Sequence, residues 1–388
     1  MKRVGLESSF AIAEAVKMAD VDVISAYPIT PQTHIVERLA QLIADGELDA
    51  NYIPVESEHS ALSGCLGAAA VGARTFTATA GQGLELMHEV LYVASSMRLP
   101  IVMSVCNRAL SAPLSIWGDH SDVMAVRDTG WIQLFAENAQ QAFDLTLCAF
   151  RIAEDPAVLL PTMVHIDGFH LSHVIEAVLL PEADEVKKFL PPFRPLYTLN
   201  PDRPVSMGDM AAPDVYAEAK KMQDEALRNS REVVLKAWRE FGKLLGRNYS
   251  PVETFRAEDA DVLLLTMGSF SEVAMEAIDL LRGKGEKVGG VRLRLWRPFP
   301  FEELRQAVER AKLLIVLDRA VSFGGPGPVC SEIKAALSHL EKKPKVIGFI
   351  GGLGGRDIPV KGFQEMIHRG MDKAAKGQFD DFEMFGVR

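Results

Sequence analysis

Short, unbroken apolar runs recur along this chain and constrain its fold more than any other feature. They lie at residues 21–26, 52–55, 74–80, 100–106 and 157–166, with helix-like stretches at 57–71, 84–96 and 139–153. A strand that is apolar throughout has both faces buried, the condition inside a parallel sheet covered by helices. The series predicts an α/β doubly wound domain. Alternation stops at 181–213, which is rich in proline and charge, and 215–245 reads as one long, highly charged helix. It resumes near 261, with strands expected at 262–267, 288–293, 313–317 and 345–350, and helices at 272–281, 301–310 and 330–340. The expected organisation is an α/β domain over 1–180, a linker and charged helix over 181–255, and a smaller α/β domain over 256–388. The charged helix is expected to be a solvated connector or to lie across a partner.

Composition narrows the function. Hydrophobic residues make up 48% and charged residues 24%, as in ordinary globular proteins. A net charge of -10 argues against a broad nucleic-acid surface. No apolar run reaches the ~18–20 residues of a membrane span. The first residues lack the apolar block of a signal peptide, so a cytoplasmic protein is expected. Cys65, Cys106, Cys148 and Cys330 are far apart, and none sits in a CxxC pair. That spacing excludes a zinc ribbon and a self-contained iron–sulfur cluster, and predicts buried, reduced thiols.

Five segments hold candidate functional residues, because ligands of open α/β sheets bind beyond the carboxyl ends of strands. Ala26-Tyr27-Pro28-Ile29-Thr30-Pro31 follows a predicted strand. Its two prolines keep the residues before them out of the helical region, so Thr30 either orients its hydroxyl towards a ligand or, like Thr33, caps a helix. Val55-Glu56-Ser57-Glu58-His59 places two acids at a helix start. One complements the helix dipole, the other is a candidate buried acid, and composition does not choose between them. Thr77-Ala78-Thr79-Ala80-Gly81-Gln82-Gly83 offers small residues for close backbone approach, without a phosphate-loop pattern. Arg108 follows the next strand and is suited to gripping a carboxylate. Asp119, His120 and Asp122 downstream suit a capping turn better than a metal site. Finally, Arg292, Arg294, Arg297, Arg319 and the turns 322–327 and 351–357 could hold a phosphate or form salt bridges at a subunit interface.

YPITP, VESEHSA, TATAGQG, NRALSAPLSIWGDHSD, RDTGW, RPFP and GGLGGRD occur in this order. In that pattern the chain resembles the α subunit of 2-oxoacid:ferredoxin oxidoreductases, most closely those acting on pyruvate. The resemblance runs from Gly5 to about Arg369. It implies a pyrimidine-binding thiamine-diphosphate domain followed by a transketolase-C-terminal-like domain. It selects Glu58 over Glu56 as the acid that engages the aminopyrimidine, with Tyr27, Pro28, Ile29 and Gln82 lining the coenzyme. It assigns Thr30 and Arg108 to the substrate carboxylate and the reacting centre. It also implies β, γ and δ partner subunits. These hold the diphosphate with its Mg2+ and carry the 4Fe–4S clusters, while ferredoxin and coenzyme A act at the level of the complex. The activity implied is CoA-dependent oxidative decarboxylation of pyruvate. The alternatives are 2-oxoisovalerate or another 2-oxoacid as substrate, a self-sufficient transketolase-type enzyme, which the missing metal motif argues against, and a non-catalytic scaffold subunit.

Overall fold

The computed structural model describes residues 1–379 and 382–388. Its first sheet has seven strands, in the order Leu295–Arg297, Ile132–Phe135, Thr162–Asp167, Val102–Asn107, Thr75–Thr79, Val23–Ala26 and Asn51–Pro54. Neighbours run parallel except for the outermost, Leu295–Arg297, which is antiparallel to Ile132–Phe135. The three central strands are buried at every position. Asn51–Pro54 is largely exposed instead, because an edge strand lies outside the helical cover.

Helix Ala139–Ala153 lies against this sheet with all residues but Gln140 and Arg151 buried. Helix Ser8–Met18 packs on it, and so does the 30-residue helix Tyr216–Leu245. The long helix buries Ala226, Ser230, Val234, Ala237, Trp238, Phe241 and Leu245. These residues recur at three- and four-residue steps, which makes one stripe along the helix. The charged helix therefore docks on its own chain and does not bridge solvent. Strand Lys2–Glu7 pairs antiparallel with Ile175–Leu180 in a separate two-stranded ribbon.

The second sheet has the order Glu383–Met384, Lys345–Ile350, Leu313–Asp318, Val262–Thr266, Val288–Leu293 and Val252–Phe255. It is parallel apart from Val252–Phe255. Phe270–Arg282 and Val360–Ala375 cover one face, and Phe301–Val308 and Pro328–Leu337 the other. The two sheets share a core: Val123, Met124 and Phe135 of the first unit pack with Trp296, Phe299, Val316 and Val329 of the second. A strand donated from one unit to the other's sheet and a common apolar cluster bring the carboxyl ends of both sheets together. All four cysteines are buried and free. Among the described residues no helix is long and apolar enough to cross a membrane.

Candidate functional site

The carboxyl ends of Val23–Ala26, Thr75–Thr79 and Val102–Asn107 place the sequence candidates side by side. Helix Glu58–Ala70 starts at Ser57, whose hydroxyl accepts from the Ser60 N–H at 3.2 Å. Glu58 follows that cap and is 6% exposed. Glu56, before it, is exposed and accepts from the Ser60 hydroxyl at 2.5 Å. The two acids thus separate by geometry. The outer one is lowered by its Ser60 hydrogen bond. The inner one makes no hydrogen bond to any described residue. Gly83 lies against it: a Cβ at Gly83 would sit 2.6 Å from both Glu58 Oε1 and Thr79 Oγ1. The Thr79 hydroxyl and Gln82 Oε1 are buried without partners, while Gln82 Nε2 donates to Ser111 Oγ at 2.9 Å. A carboxylate, a hydroxyl and an amide oxygen left free around a glycine cradle suit an aminopyrimidine, a ring with polar nitrogens to be met.

Arg108 is 7% exposed. Its Nε donates to the Ser115 carbonyl and its Nη1 to the Thr30 carbonyl, both at 3.0 Å. Its Nη2 bonds none of the described residues, so one edge of the guanidinium is available. Burial lowers its pKa, and Asp122 and Glu58 oppose that shift. A guanidinium remains charged under such a shift. Thr30 is exposed on the YPITP loop, and Tyr27 and Ile29 are partly buried beside it. Neither Thr30 nor Thr33 caps the following helix, whose N-cap is Gln32, with no side-chain cap bond. Gln32 instead donates to the carbonyls of Tyr27, at 3.0 Å, and Ala78, at 2.8 Å, fastening the loop to the neighbouring strand. Structure therefore brings Thr30, Glu58, Arg108 and Gln82 to one sheet edge, with Tyr27, Pro28 and Ile29 on the loop between them.

Asp122, expected from the sequence to belong to a capping turn, organises that edge. It is fully buried. Its Oδ2 accepts from Gly81 N at 3.0 Å and Arg108 N at 2.9 Å. Its Oδ1 accepts from Asn107 Nδ2 at 3.0 Å and Val123 N at 2.7 Å. Burial pushes this carboxyl up to about 7 against those donors. One side chain thus sets the separation of the TATAGQG and NRA turns. Asp119 does form the expected local turn, accepting from Ser121 N and Oγ at 2.9 and 2.6 Å.

The arginines and the turn 351–357 of the second unit bond within the chain, whereas the turn 322–327 is largely exposed. Arg319 pairs with Asp167, whose Oδ1 also accepts from His120 Nε2 at 2.9 Å. Asp167 Oδ2 accepts from Ser269 N at 2.7 Å and Ser269 Oγ at 2.6 Å. Gly354 N donates to Asp119 at 3.0 Å, and Gly355 N to the Gly118 carbonyl at 2.8 Å. Arg292 and Arg294 pair with Glu137 and Glu253, and Arg297 with Glu332. The signal in the sequence was an acid closing an otherwise buried strand, Thr162–Asp167.

Comparisons with known proteins point the same way as this geometry. The family model for the thiamine-diphosphate-binding domain of pyruvate flavodoxin/ferredoxin oxidoreductase matches residues 14–238, and that for pyruvate:ferredoxin oxidoreductase core domain II matches 260–363. The chain is 49% identical over 364 residues to the pyruvate synthase subunit PorA of Methanothermobacter thermautotrophicus, covering 94% of each chain. It is 45% identical over 391 residues to that of Thermotoga maritima, covering 100% of this chain and 99% of the other. It is 46% identical over 358 residues to the ketoisovalerate oxidoreductase subunit VorA of Pyrococcus horikoshii, covering 92% and 90%. Its fold is similar to a solved 2-oxoglutarate:ferredoxin oxidoreductase from Magnetococcus marinus, with a TM-score of 0.70 at 20% identity. That likeness covers 95% of this chain and 65% of the other. A split-gene transketolase shares the fold at a TM-score of 0.56 and 12% identity, covering 95% and 99%.

Proposed function

The chain belongs to the pyruvate:ferredoxin oxidoreductase family, and on that premise we propose that it is the α-type subunit of a pyruvate synthase. The reaction is the reversible, CoA-dependent oxidative decarboxylation of pyruvate to acetyl-CoA and CO2, with electrons passing to ferredoxin. The observation that carries this reading is the meeting of Glu58, Thr30 and the open edge of Arg108 at the carboxyl ends of adjacent strands. When bound, thiamine diphosphate supplies the carbanion that attacks the 2-oxo carbon and the sink for the electrons left behind by CO2.

This chain's own residues bind and orient. Glu58 would face the aminopyrimidine of the bound coenzyme and hold a proton between its carboxylate and the ring nitrogen. Gly83 leaves room for that carboxylate, and Tyr27, Pro28, Ile29 and Gln82 would line the ring's surroundings. Arg108 offers its Nη2 to the substrate carboxylate, and the Thr30 hydroxyl adds a hydrogen bond nearby. The diphosphate and its Mg2+ belong to a β subunit, and 4Fe–4S clusters to other subunits of a βγδ set. Four buried, scattered thiols in this chain favour that division. Ferredoxin and coenzyme A meet the assembled complex, in the cytoplasm. The division of the chain at 181–255 is part of the same proposal.

A second reading keeps the reaction and replaces pyruvate by 2-oxoisovalerate, on the strength of the 46% identity to a ketoisovalerate oxidoreductase subunit. The test is kcat/KM of the assembled complex for pyruvate and 2-oxoisovalerate, in wild type and Arg108→Lys. A preference for pyruvate is expected. Arg108→Lys keeps the charge but loses the planar fork, and should impair both substrates alike. Removing the cation altogether, as in Arg108→Ala, costs ~2–5 kcal/mol, or roughly thirty- to several-thousand-fold, and bounds the loss in Arg108→Lys from above. A preference for 2-oxoisovalerate would overturn the choice of pyruvate. A mutant with unchanged kcat/KM for either would overturn the role of Arg108.

A further inference from the structure

We propose that Glu7, His34 and His173 form a binding site for one divalent transition-metal ion of the zinc class, separate from the coenzyme site. Three elements deliver the ligands. Glu7 ends strand Lys2–Glu7, His34 lies in the first turn of helix Thr33–Ala44, and His173 sits in the turn before strand Ile175–Leu180. One ligating atom from each lies within 4.8 Å of the other two. Glu7 Oε1 and His34 Nδ1 are 2.6 Å apart. The two imidazole rings lie with centroids 4.4 Å apart and planes tilted by 43°.

Two features favour an ion over a plain hydrogen-bonded trio. No hydrogen bond joins the two imidazoles, although they converge with the carboxylate. His173 also has an outer partner: its Nδ1 lies 2.7 Å from Ser172 Oγ, which in turn accepts from Phe169 N at 2.9 Å. A ligating histidine is usually held through its second nitrogen in this way, which leaves Nε2 free for the metal. Phe10 and Phe169 flank the rings at centroid distances of 6.2 and 4.7 Å.

The donor set names the ion. Two imidazoles and one carboxylate suit Zn2+ or Co2+, with a fourth position left to water. Tetrahedral bonds of about 2.0–2.1 Å put ligand atoms roughly 3.3 Å apart, so Glu7 Oε1 and His34 Nδ1, now 2.6 Å apart, must part by roughly 0.7 Å to admit the ion. His34 is 39% exposed at its side chain and has room to turn. The ion would then pin the helix that follows the YPITP loop to the ribbon formed by Lys2–Glu7 and Ile175–Leu180.

The test is a Co2+ titration of the metal-stripped full chain, followed by visible absorption and then competition with Zn2+. One equivalent of Co2+ should give a saturable tetrahedral d–d band that Zn2+ abolishes. His34→Gln and His173→Gln should each weaken binding about a hundredfold or more. His368→Gln, at an exposed histidine paired with Glu286, should leave it unchanged. Melting without metal checks that the variants fold, and Glu7→Gln, nearly isosteric, replaces any that does not. Absence of a saturable band, or equal bands in wild type and the folded variants, would overturn the proposal.

Discussion

At the scale of single residues, the division of labour between two acids two positions apart follows from burial. Glu58 is enclosed and free of partners, whereas Glu56 is exposed and held by Ser60. Glu58→Gln should lower turnover of the assembled enzyme roughly 10²–10⁴-fold, the usual contribution of a positioned acid or base. Glu56→Gln should change it little. Equal losses, or a larger loss at Glu56, would reverse the assignment. Gly83 offers an independent check. An added Cβ at 2.6 Å from Glu58 Oε1 and Thr79 Oγ1 forces the carboxylate aside. A displacement of about 1 Å at a reacting group costs on the order of 10²-fold in rate. Gly83→Ala should therefore lose activity on that scale while the complex still assembles, and a fully active variant would show that Glu58 does not need this position. Composition alone did not distinguish the two acids, because their difference lies in what Thr79, ending another strand, and Gly83, in the helix after it, bring beside Glu58.

At the scale of elements, the legible part of the fold was the part whose burial is locally encoded. The runs 288–293 and 345–350 and the helix 139–153 appear with the bounds read from the sequence. Leu295–Arg297 was not legible as a strand. It has three residues and pairs with Ile132–Phe135, more than 150 positions away. Nor was Lys2–Glu7, an exposed, charged strand whose partner is Ile175–Leu180. Asp122 was recognised as part of a polar cluster, but its role depends on N–H groups supplied by two strand ends. Asp122→Asn leaves an amide NH2 facing Gly81 N and Arg108 N. Each unpaired buried N–H costs about 1–3 kcal/mol, so a stability loss of roughly 2–6 kcal/mol is expected. The pH dependence has a definite sign. A carboxyl raised to about 7 by burial binds a proton more tightly folded than unfolded. Its contribution to stability is full below the unfolded value of about 4 and is lost as pH rises through 7. Denaturant melts from pH 4 to 8 should show this decline in wild type and a flatter profile in Asp122→Asn. Parallel profiles would remove Asp122 as its source.

At the scale of the whole molecule, the two sheets behave as one body because their carboxyl ends are joined by a buried charge. Burial alone would raise the Asp167 carboxyl, but Arg319, then His120 and Ser269, outweigh it and hold it far below the usual range. Its contribution is therefore of the opposite sign to that of Asp122: present above pH 4 and lost only in strong acid. The same network aligns His120 and Gly118, on the loop that leads back to Arg108, with Arg319 of the second unit. Removing one partner of a buried pair costs about 3–5 kcal/mol, since the other charge stays uncompensated. Asp167→Asn leaves Arg319 in that state, while the donated strand Leu295–Arg297 and the shared apolar cluster remain. The variant should fold, melt roughly 4–6 °C lower, and separate into two calorimetric transitions where wild type shows one. Catalytic loss should follow, because the loop carrying Asp119 and His120 is no longer held from both sides. A single transition at the wild-type temperature would mean that the common core alone unites the two units and that Asp167 is incidental to it.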